Sequence, residues 1–380
     1  MAIDAGNSTR KAIIIAGAFG LLMAGWQSPR LLGEPASIPA TPDPAKQAHR
    51  LRISAVGDIM LGGTSEPVFE QYGYDYAFEQ TRYLFDESDI VIGNLEGPLT
   101  NAETPYSENK EYLFRTPPEK VVPALKKAGF NIMNLANNHI MDYGDQGLGD
   151  TMQALRQADI ASVGAGANLD QARHGTIMKM AGHRVGFLSY SLTFPESFWA
   201  TADRSGSAFG HEHQIREDVQ RMTQNSDIVV VSFHWGQEKS ALLRKYQPLL
   251  AHAAIDSGAR LVIGHHPHVL QAIEHYRDGL ILYSLGNFAF GSYSRNAQTS
   301  VIAHVDFTRG RFESVQLIPI NVLNVEVNFQ PRILFGSSAS EVIDQLNALS
   351  LSRNTRLINR QGIAYLQNPV QNQETVSSLH

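Results

Sequence analysis

Five short clusters carry most of the side chains that could hold a cation or move a proton. They are Val56-Gly57-Asp58, Gly93-Asn94-Leu95-Glu96, Ala136-Asn137-Asn138-His139, Phe233-His234-Trp235-Gly236 and Gly264-His265-His266-Pro267-His268. Together they offer two carboxylates, an amide oxygen and several imidazoles. That donor set suits a hard-to-borderline divalent cation such as Mn²⁺, Fe²⁺, Zn²⁺ or Co²⁺. Taken singly, each cluster is ambiguous. Gly57-Asp58 reads equally as a turn before a helix, Asn137-Asn138 as turn residues and His234 as a satisfied buried histidine. Three imidazoles within His265-His266-Pro267-His268 are harder to dismiss, since at a strand end they have little packing value.

The elements that must position these clusters are legible from hydrophobic patterning. Short apolar, β-branched runs at Ile53–Val56, Ile90–Ile92, Ile132–Leu135, Val185–Leu188, Ile228–Val231, Leu261–Ile263 and Leu280–Tyr283 read as buried strands. Helices are expected at Glu119–Ala128, Gly147–Ala158, Glu212–Thr223 and Tyr246–Ser257. The alternation implies an α/β fold with helices over at least one sheet face. In such sheets functional groups gather just past the strand C-termini, here expected along one sheet edge. Ser300–Val325 alternates and has a turn at Thr308-Arg309-Gly310, so it resembles a hairpin. Ser338-Ala339-Ser340-Glu341 reads as a capping box before an amphipathic helix, and Ile363–Leu366 as a last strand.

Composition narrows the function classes. Thirty-one Lys and Arg against 37 Asp and Glu leave a net charge of −6. A surface for nucleic acid needs a basic excess, so no nucleic-acid partner is expected. The chain has no cysteine, which excludes a disulfide framework, a thiolate zinc site and a lipid anchor on Cys. Arg10 and Lys11 precede an uncharged apolar run from Ala12 to Trp26. That length suits a signal-peptide core better than a spanning helix. No clean cleavage site follows, so residues 1–26 read as a signal peptide or a signal anchor, and export is expected either way. Residues 27–50, with five prolines, read as a linker; residues 51–368 as the folded domain; and residues 369–380 as a flexible tail.

In this order the clusters resemble those of the CapA family of capsule and poly-γ-glutamate biosynthesis proteins, which is similar to a branch of the calcineurin-like metallophosphoesterases. The resemblance runs from about Leu51 to Gln330, and more loosely to Leu366. It also takes in Gly73-Tyr74-Asp75-Tyr76-Ala77-Phe78, Phe114-Arg115-Thr116-Pro117-Pro118, Asp142-Tyr143-Gly144, Gly164-Ala165-Gly166 and Ser284-Leu285-Gly286-Asn287-Phe288. It implies a four-layer αββα sandwich with the site at one end. By the same resemblance Asp58, Glu96, Asn138, His234, His266 and His268 are metal ligands for one or two ions. Glu96 matches the bridging carboxylate and His139 a general acid. Two departures stand out. The family's Asp-x-His reads Asp58-Ile59-Met60, and a thioether is a poor ligand beside carboxylates, so the ion shared by Asp58, Glu96 and His268 loses a protein ligand. The bridging residue is also a glutamate, one methylene longer than aspartate.

Several neighbours are second candidates. Glu238 reads as a shell residue or base, or equally as a surface glutamate at a helix start. Asp142 reads as the carboxylate that orients His139, or as a turn cap. Arg115 reads as a contact for an anionic substrate or as a solvated side chain. His265 is expected to point away from His266 by strand alternation. The leading expectation is an exported metal-dependent phosphoesterase-like protein acting in exopolymer assembly. It would take an envelope polymer or its phosphorylated precursor, with capsule synthase components as partners and the membrane met through the N-terminal segment. The alternatives are a non-catalytic anchored scaffold and a metal-dependent amide hydrolase cutting a γ-linked polymer.

Overall fold

The computed structural model describes residues 50–106 and 110–367. The expected leader, linker (save Arg50) and tail lie outside the described residues. Along the chain come β1 (Arg50–Met60), β2 (Ile90–Leu95), β3 (Ile132–Asn134) and β4 (Ala161–Val163). They are followed by β5 (Thr176–Met180), β6 (His183–Ser191), β7 (Ile228–His234), β8 (Leu261–His265), β9 (Ile273–Tyr276) and β10 (Gly279–Leu282). Last are β11 (Asn287–Phe290), β12 (Thr299–Thr308), β13 (Arg311–Asn321), β14 (Leu357–Arg360) and β15 (Ile363–Leu366).

These strands form two principal sheets. The first has the order β14-β15-β13-β12-β1-β2-β3-β4, with β11 parallel to the far end of β1; the second has the order β9-β10-β8-β7-β6-β5. Leu51, Ile53, Ala55, Ile90 and Ile92 of the first sheet pack against Val185, Phe187, Ile228, Val230, Leu261 and Ile263 of the second. Their opposite faces are equally apolar, as the unbroken β-branched runs require when both sides are buried. Helices α1 (Pro118–Lys127) and α2 (Gly144–Gln157) cover the outer face of the first sheet through Val121, Leu125, Leu148 and Leu155. Helices α3 (Glu212–Thr223) and α4 (Tyr246–Asp256) cover the second through Ile215, Val219, Leu250 and Ala254. The result is the expected αββα sandwich. Helix α5 (Gly336–Ser350) closes the inter-sheet core with Val342, Ile343 and Leu346. No helix among the described residues is long and apolar enough to cross a membrane.

Three expectations need correction. The clusters do not gather along one sheet edge. Asp58, Glu96 and His139 lie at or just past the ends of strands of the first sheet, whereas His234 and His266 lie at or just past those of the second, so the site lies where the two sheet ends meet. Several strands also run past the apolar stretches into the clusters. Asp58 pairs with Asn94 and His265 with His234, because backbone pairing continues wherever the neighbour is present, whatever the side chain's polarity. Finally, α5 begins at Gly336 behind Phe335 with no side-chain cap, which places Ser338 inside the helix rather than at its start.

Two glycines set the approach of chains at this end. A Cβ on Gly57 would lie 1.9 Å from the Gly286 carbonyl oxygen, and one on Gly264 would lie 1.9 Å from that of Tyr283. The Asp58 amide instead donates to Gly286 O at 3.0 Å. Only glycine permits such contact, and the adjoining Asp58 and His265 are thereby drawn inward.

Candidate metal centre

The residues scattered from Asp58 to His268 converge. Potential ligand atoms of Asp58, Glu96 and His268 lie within 4.8 Å of one another, as do those of Glu96, His234 and His266, and those of Glu238, His266 and His268. Asp58 Oδ2 is 3.2 Å from His268 Nδ1. Glu96 Oε1 lies 3.7 Å from His268 Nε2 and 3.9 Å from His234 Nε2. His234 Nε2 in turn is 3.1 Å from His266 Nδ1 and 2.7 Å from Asn138 Oδ1. One atom, Glu96 Oε1, thus stands between two donor sets, and it is buried without a hydrogen-bond partner. An unpaired carboxylate oxygen in the interior is costly. This orphan, flanked by imidazole nitrogens, fits a cation.

Electrostatics point the same way. Burial opposes charge on Asp58, yet His265 and His268 outweigh it and hold the carboxyl well below the usual range. Burial, together with repulsion from Asp58 and Glu238, pushes Glu96 well above its ordinary value despite the counter-pull of His268. Burial also opposes charge on His268, but Glu96 and Asp58 raise it to about 10. Burial and the neighbouring His268 drop His266 to about 3, and burial with His266 lowers His234 far below its ordinary value. Neutral imidazoles are the form that binds metal.

His139 is buried and its Nδ1 lies 2.8 Å from Asp142 Oδ2, the orienting contact anticipated from sequence. Burial lowers its pKa, the Asp142 carboxylate works against that shift and Lys110 adds to it. Asp142 Oδ2 also accepts from the Phe114 amide at 2.8 Å, and its Oδ1 accepts from Lys110 Nζ. The same Lys110 amine donates to the Asn138 carbonyl at 2.6 Å. Phe114 lies against the His139 ring, centroids 4.2 Å apart.

The centre opens into a cavity of about 420 Å³ lined by Tyr112, Phe114, Phe290, Tyr293, Lys239 and Arg295, among others. Glu238 also lines it, and stands exposed in a turn rather than at a helix start. Arg115 is otherwise engaged: its guanidinium donates to the Ala102 carbonyl and lies 5.3 Å from the Tyr143 ring centre. Met60 is buried, its sulfur accepting from the Gly62 amide at 3.2 Å. Lys239, His266 and His268 adopt positive φ angles of 60°, 92° and 57°. Non-glycine residues seldom take this conformation, and such outliers cluster where the chain must aim a side chain.

Sequence reasoning missed three residues here. Lys110 has no distinguishing neighbour in sequence. His265 does diverge from the His234–His266 contact, but its Nδ1 ends 3.3 Å from Asp58 Oδ1. Asn94 stands among Asp58, Glu96 and His234. A polar residue inside an otherwise apolar strand was the available signal.

The family model for the bacterial capsule synthesis protein PGA_cap matches residues 52–292. The capsule biosynthesis protein CapA of Bacillus anthracis is 33% identical over 73% of this chain and 69% of its own length. The PGA biosynthesis protein CapA of Bacillus subtilis is 36% identical over 72% of each. Among solved structures, the calcineurin-like phosphoesterase YfkN of Bacillus subtilis aligns over 70% of this chain and 88% of its own, at 14% identity and a TM-score of 0.42. A 5'-nucleotidase precursor of Thermus thermophilus aligns over 75% of this chain and 54% of its own, at 12% identity and a TM-score of 0.41.

Proposed function

The chain belongs to the bacterial capsule synthesis protein family, and from that premise we propose that it is a metal-dependent, phosphoesterase-like hydrolase serving capsule or poly-γ-glutamate assembly. The observation that carries the reading is Glu96 Oε1, unpartnered and buried between the Asp58–His268 and His234–His266 donor sets. In it, Asp58, Glu96 and His268 hold one divalent ion (Mn²⁺, Fe²⁺ or Zn²⁺), while Glu96, Asn138, His234 and His266 hold a second. When bound, such ions supply Lewis acidity toward a phosphoryl or acyl oxygen and toward water.

The protein's own groups supply the rest. The Asp142 carboxylate fixes the His139 ring through Nδ1, leaving Nε2 as the nitrogen that exchanges a proton with the departing oxygen. Phe114 shields the His139 ring from water on one side. Lys239 and Arg295 at the mouth attract an anionic substrate, and Tyr112 and Tyr293 offer flat apolar walls to its carbon skeleton. Glu238 is placed to relay a proton to bulk water. The substrate is an envelope polymer or its phosphorylated precursor, met outside the cytoplasm after export through the N-terminal segment, with capsule synthase components as partners.

The tests are metal content and hydrolysis by the purified protein. Elemental analysis should find up to two ions per chain. Hydrolysis of an aryl phosphate with Mn²⁺ should fall about 100-fold or more in His139→Ala, with bound metal retained. A second reading, a scaffold without turnover, is favoured by Met60, which offers the Asp58 ion no imidazole. Metal content without hydrolysis of aryl phosphates or γ-glutamyl oligomers would establish that scaffold; cleavage of the oligomers alone would establish an amide hydrolase. A protein that takes up no metal would refute all three.

A further inference from the structure

Asn94 occupies a place that a cation would otherwise find attractive. Its Nδ2 lies 2.8 Å from Asp58 Oδ1, 3.2 Å from Glu96 Oε2 and 3.3 Å from His234 Nδ1. The residue is fully buried in β2, on the strand that also delivers Glu96.

An asparagine's two ends are usually interchangeable, so its orientation must be argued from its partners. Here two independent chains of contacts fix it. The Ala136 amide donates to Asn134 Oδ1 at 2.9 Å, so the nitrogen of Asn134 is the end that donates to Asn94 Oδ1, also at 2.9 Å. The His139 amide donates to Asn137 Oδ1 at 3.0 Å, and Asn137 Nδ2 donates to the Leu95 carbonyl at 2.8 Å. That same nitrogen lies 3.2 Å from Asn94 Oδ1. Each chain ends on backbone groups whose roles cannot be exchanged. The oxygen of Asn94 therefore faces Asn134 and Asn137, and its amino group faces the carboxylates.

We infer that Asn94 is the positioning residue of the metal centre: its amino group holds Asp58 Oδ1 and Glu96 Oε2 from behind, so that Asp58 Oδ2 and Glu96 Oε1 face the ions. The inference rests on the metal-binding reading above and deepens it. The distances divide accordingly. The oxygens held by Asn94 are the rear ones; the others lie toward His268 and, for Glu96, His234. A carboxylate free to rotate would grip one ion through both oxygens. Pinned by one, Glu96 would present only its other oxygen, which lies between His268 and His234. The amino group also carries partial positive charge into a pair of carboxylates without adding another anion, which keeps the empty centre from repelling itself. Partners of this kind, one step behind the ligands, commonly set metal affinity by 10- to 100-fold.

The test uses the purified protein, Mn²⁺ titration and melting in EDTA and in Mn²⁺. Asn94→Ala should raise the Mn²⁺ dissociation constant about 10-fold or more. Asn94→Asp keeps the shape and the oxygen facing Asn134 and Asn137, but turns a third carboxylate on Asp58 and Glu96. It should melt lower than the parent in EDTA and, with the donor behind both carboxylates lost, bind Mn²⁺ more weakly than the parent despite the added charge. A purely structural asparagine would lower melting equally in both buffers and leave affinity alone. An affinity for Asn94→Ala within about threefold of the parent's overturns the inference. If that variant does not fold, Asn94→Asp binding Mn²⁺ as tightly as the parent or more tightly overturns it instead. Absence of Mn²⁺ binding by the parent defeats the underlying reading, a result distinct from either.

Discussion

Lys110 and His139 meet on opposite oxygens of one buried carboxylate: Asp142 Oδ1 takes the amine and Oδ2 lies 2.8 Å from the imidazole Nδ1. The carboxylate is then filled, since Oδ2 also receives the Phe114 amide. The Lys110 amine also lies 3.1 Å from the same Nδ1, so carboxylate and amine together hold the ring from that side. The two partners act on the imidazole with opposite sign, Asp142 favouring its charged form and Lys110 disfavouring it.

Opposite signs give opposite pH shifts. Burial, the largest influence, already holds His139 below its ordinary value of 6.5. A general acid works while protonated, so turnover should decline as pH rises through this lowered pKa. Removing Asp142 takes away a raising influence, and Asp142→Asn should move the decline to lower pH while cutting turnover about 10- to 100-fold. Removing Lys110 takes away a lowering influence, so Lys110→Met should move the decline upward. Profiles of kcat/KM against pH for the three proteins decide it; two shifts of the same sign would refute the arrangement.

Among the proposed ligands, Glu96 has its carboxyl pushed well above the ordinary range by burial and by Asp58 and Glu238, so its charge is disfavoured in the absence of metal. Glutamine has nearly its shape without the charge. Glu96→Gln should therefore melt no lower than the parent in EDTA, and roughly 2 °C higher if about 1 kcal/mol of repulsion is relieved. The same variant should show little or no gain on adding Mn²⁺ and should bind less than one ion per chain. Losing stability in EDTA while binding metal normally would be the contrary result.

How much of this was legible in the sequence depends on the kind of signal each residue leaves. Helix α3 was read with its ends, Glu212 and Thr223, because apolar spacing along a solvent-facing helix is strong. The strands were found but cut short, since Asp58, His234 and His265 look like turns when only hydrophobicity is followed. The six proposed ligands could be named because each sits beside a recognisable cluster. Asn94 could not be given its place, as its importance lies in what Asn134 and Asn137 do to its far end. Lys110 lies 32 residues from the carboxylate it pairs with, and no periodicity links the two. Composition had no bearing on how the two sheets face one another.

Gly264 tests whether chain approach, rather than the imidazoles alone, builds the centre. A methyl group there would meet the Tyr283 carbonyl at 1.9 Å and the Trp235 indole nitrogen at 2.6 Å. That nitrogen now donates to the same carbonyl at 2.9 Å, so both partners are held and neither can yield cheaply. Gly264→Ala must push β8 off its neighbour, moving His265 and His266 with it. Destabilisation of about 1–3 kcal/mol is expected, together with weakened Mn²⁺ binding, although no ligand is altered. Chemical denaturation and metal titration measure both; unchanged metal affinity would mean that the histidines are placed by other contacts.

His304 supplies a prediction about stability that needs no metal. The ring is buried in β12, with Nδ1 2.6 Å from Ser54 Oγ, and burial together with Arg52 lowers it to about 4 against the opposing pull of Asp306. A histidine that is harder to protonate when folded leaves the unfolded chain binding more protons between the two values. Stability is then undiminished above pH 6.5 and is lost as pH falls toward about 4. The gap corresponds to roughly 3 kcal/mol at the acid end. His139, His234, His266 and His275 are also lowered, so the parent's slope is not His304's alone. The difference between parent and His304→Gln isolates one of them, because glutamine retains a polar partner for Ser54 but does not titrate. Denaturation in EDTA at steps from pH 7 to pH 4 should show the variant losing less stability than the parent. Parallel curves would mean that His304 protonates within the folded protein at little cost, its ring relieved by Asp306.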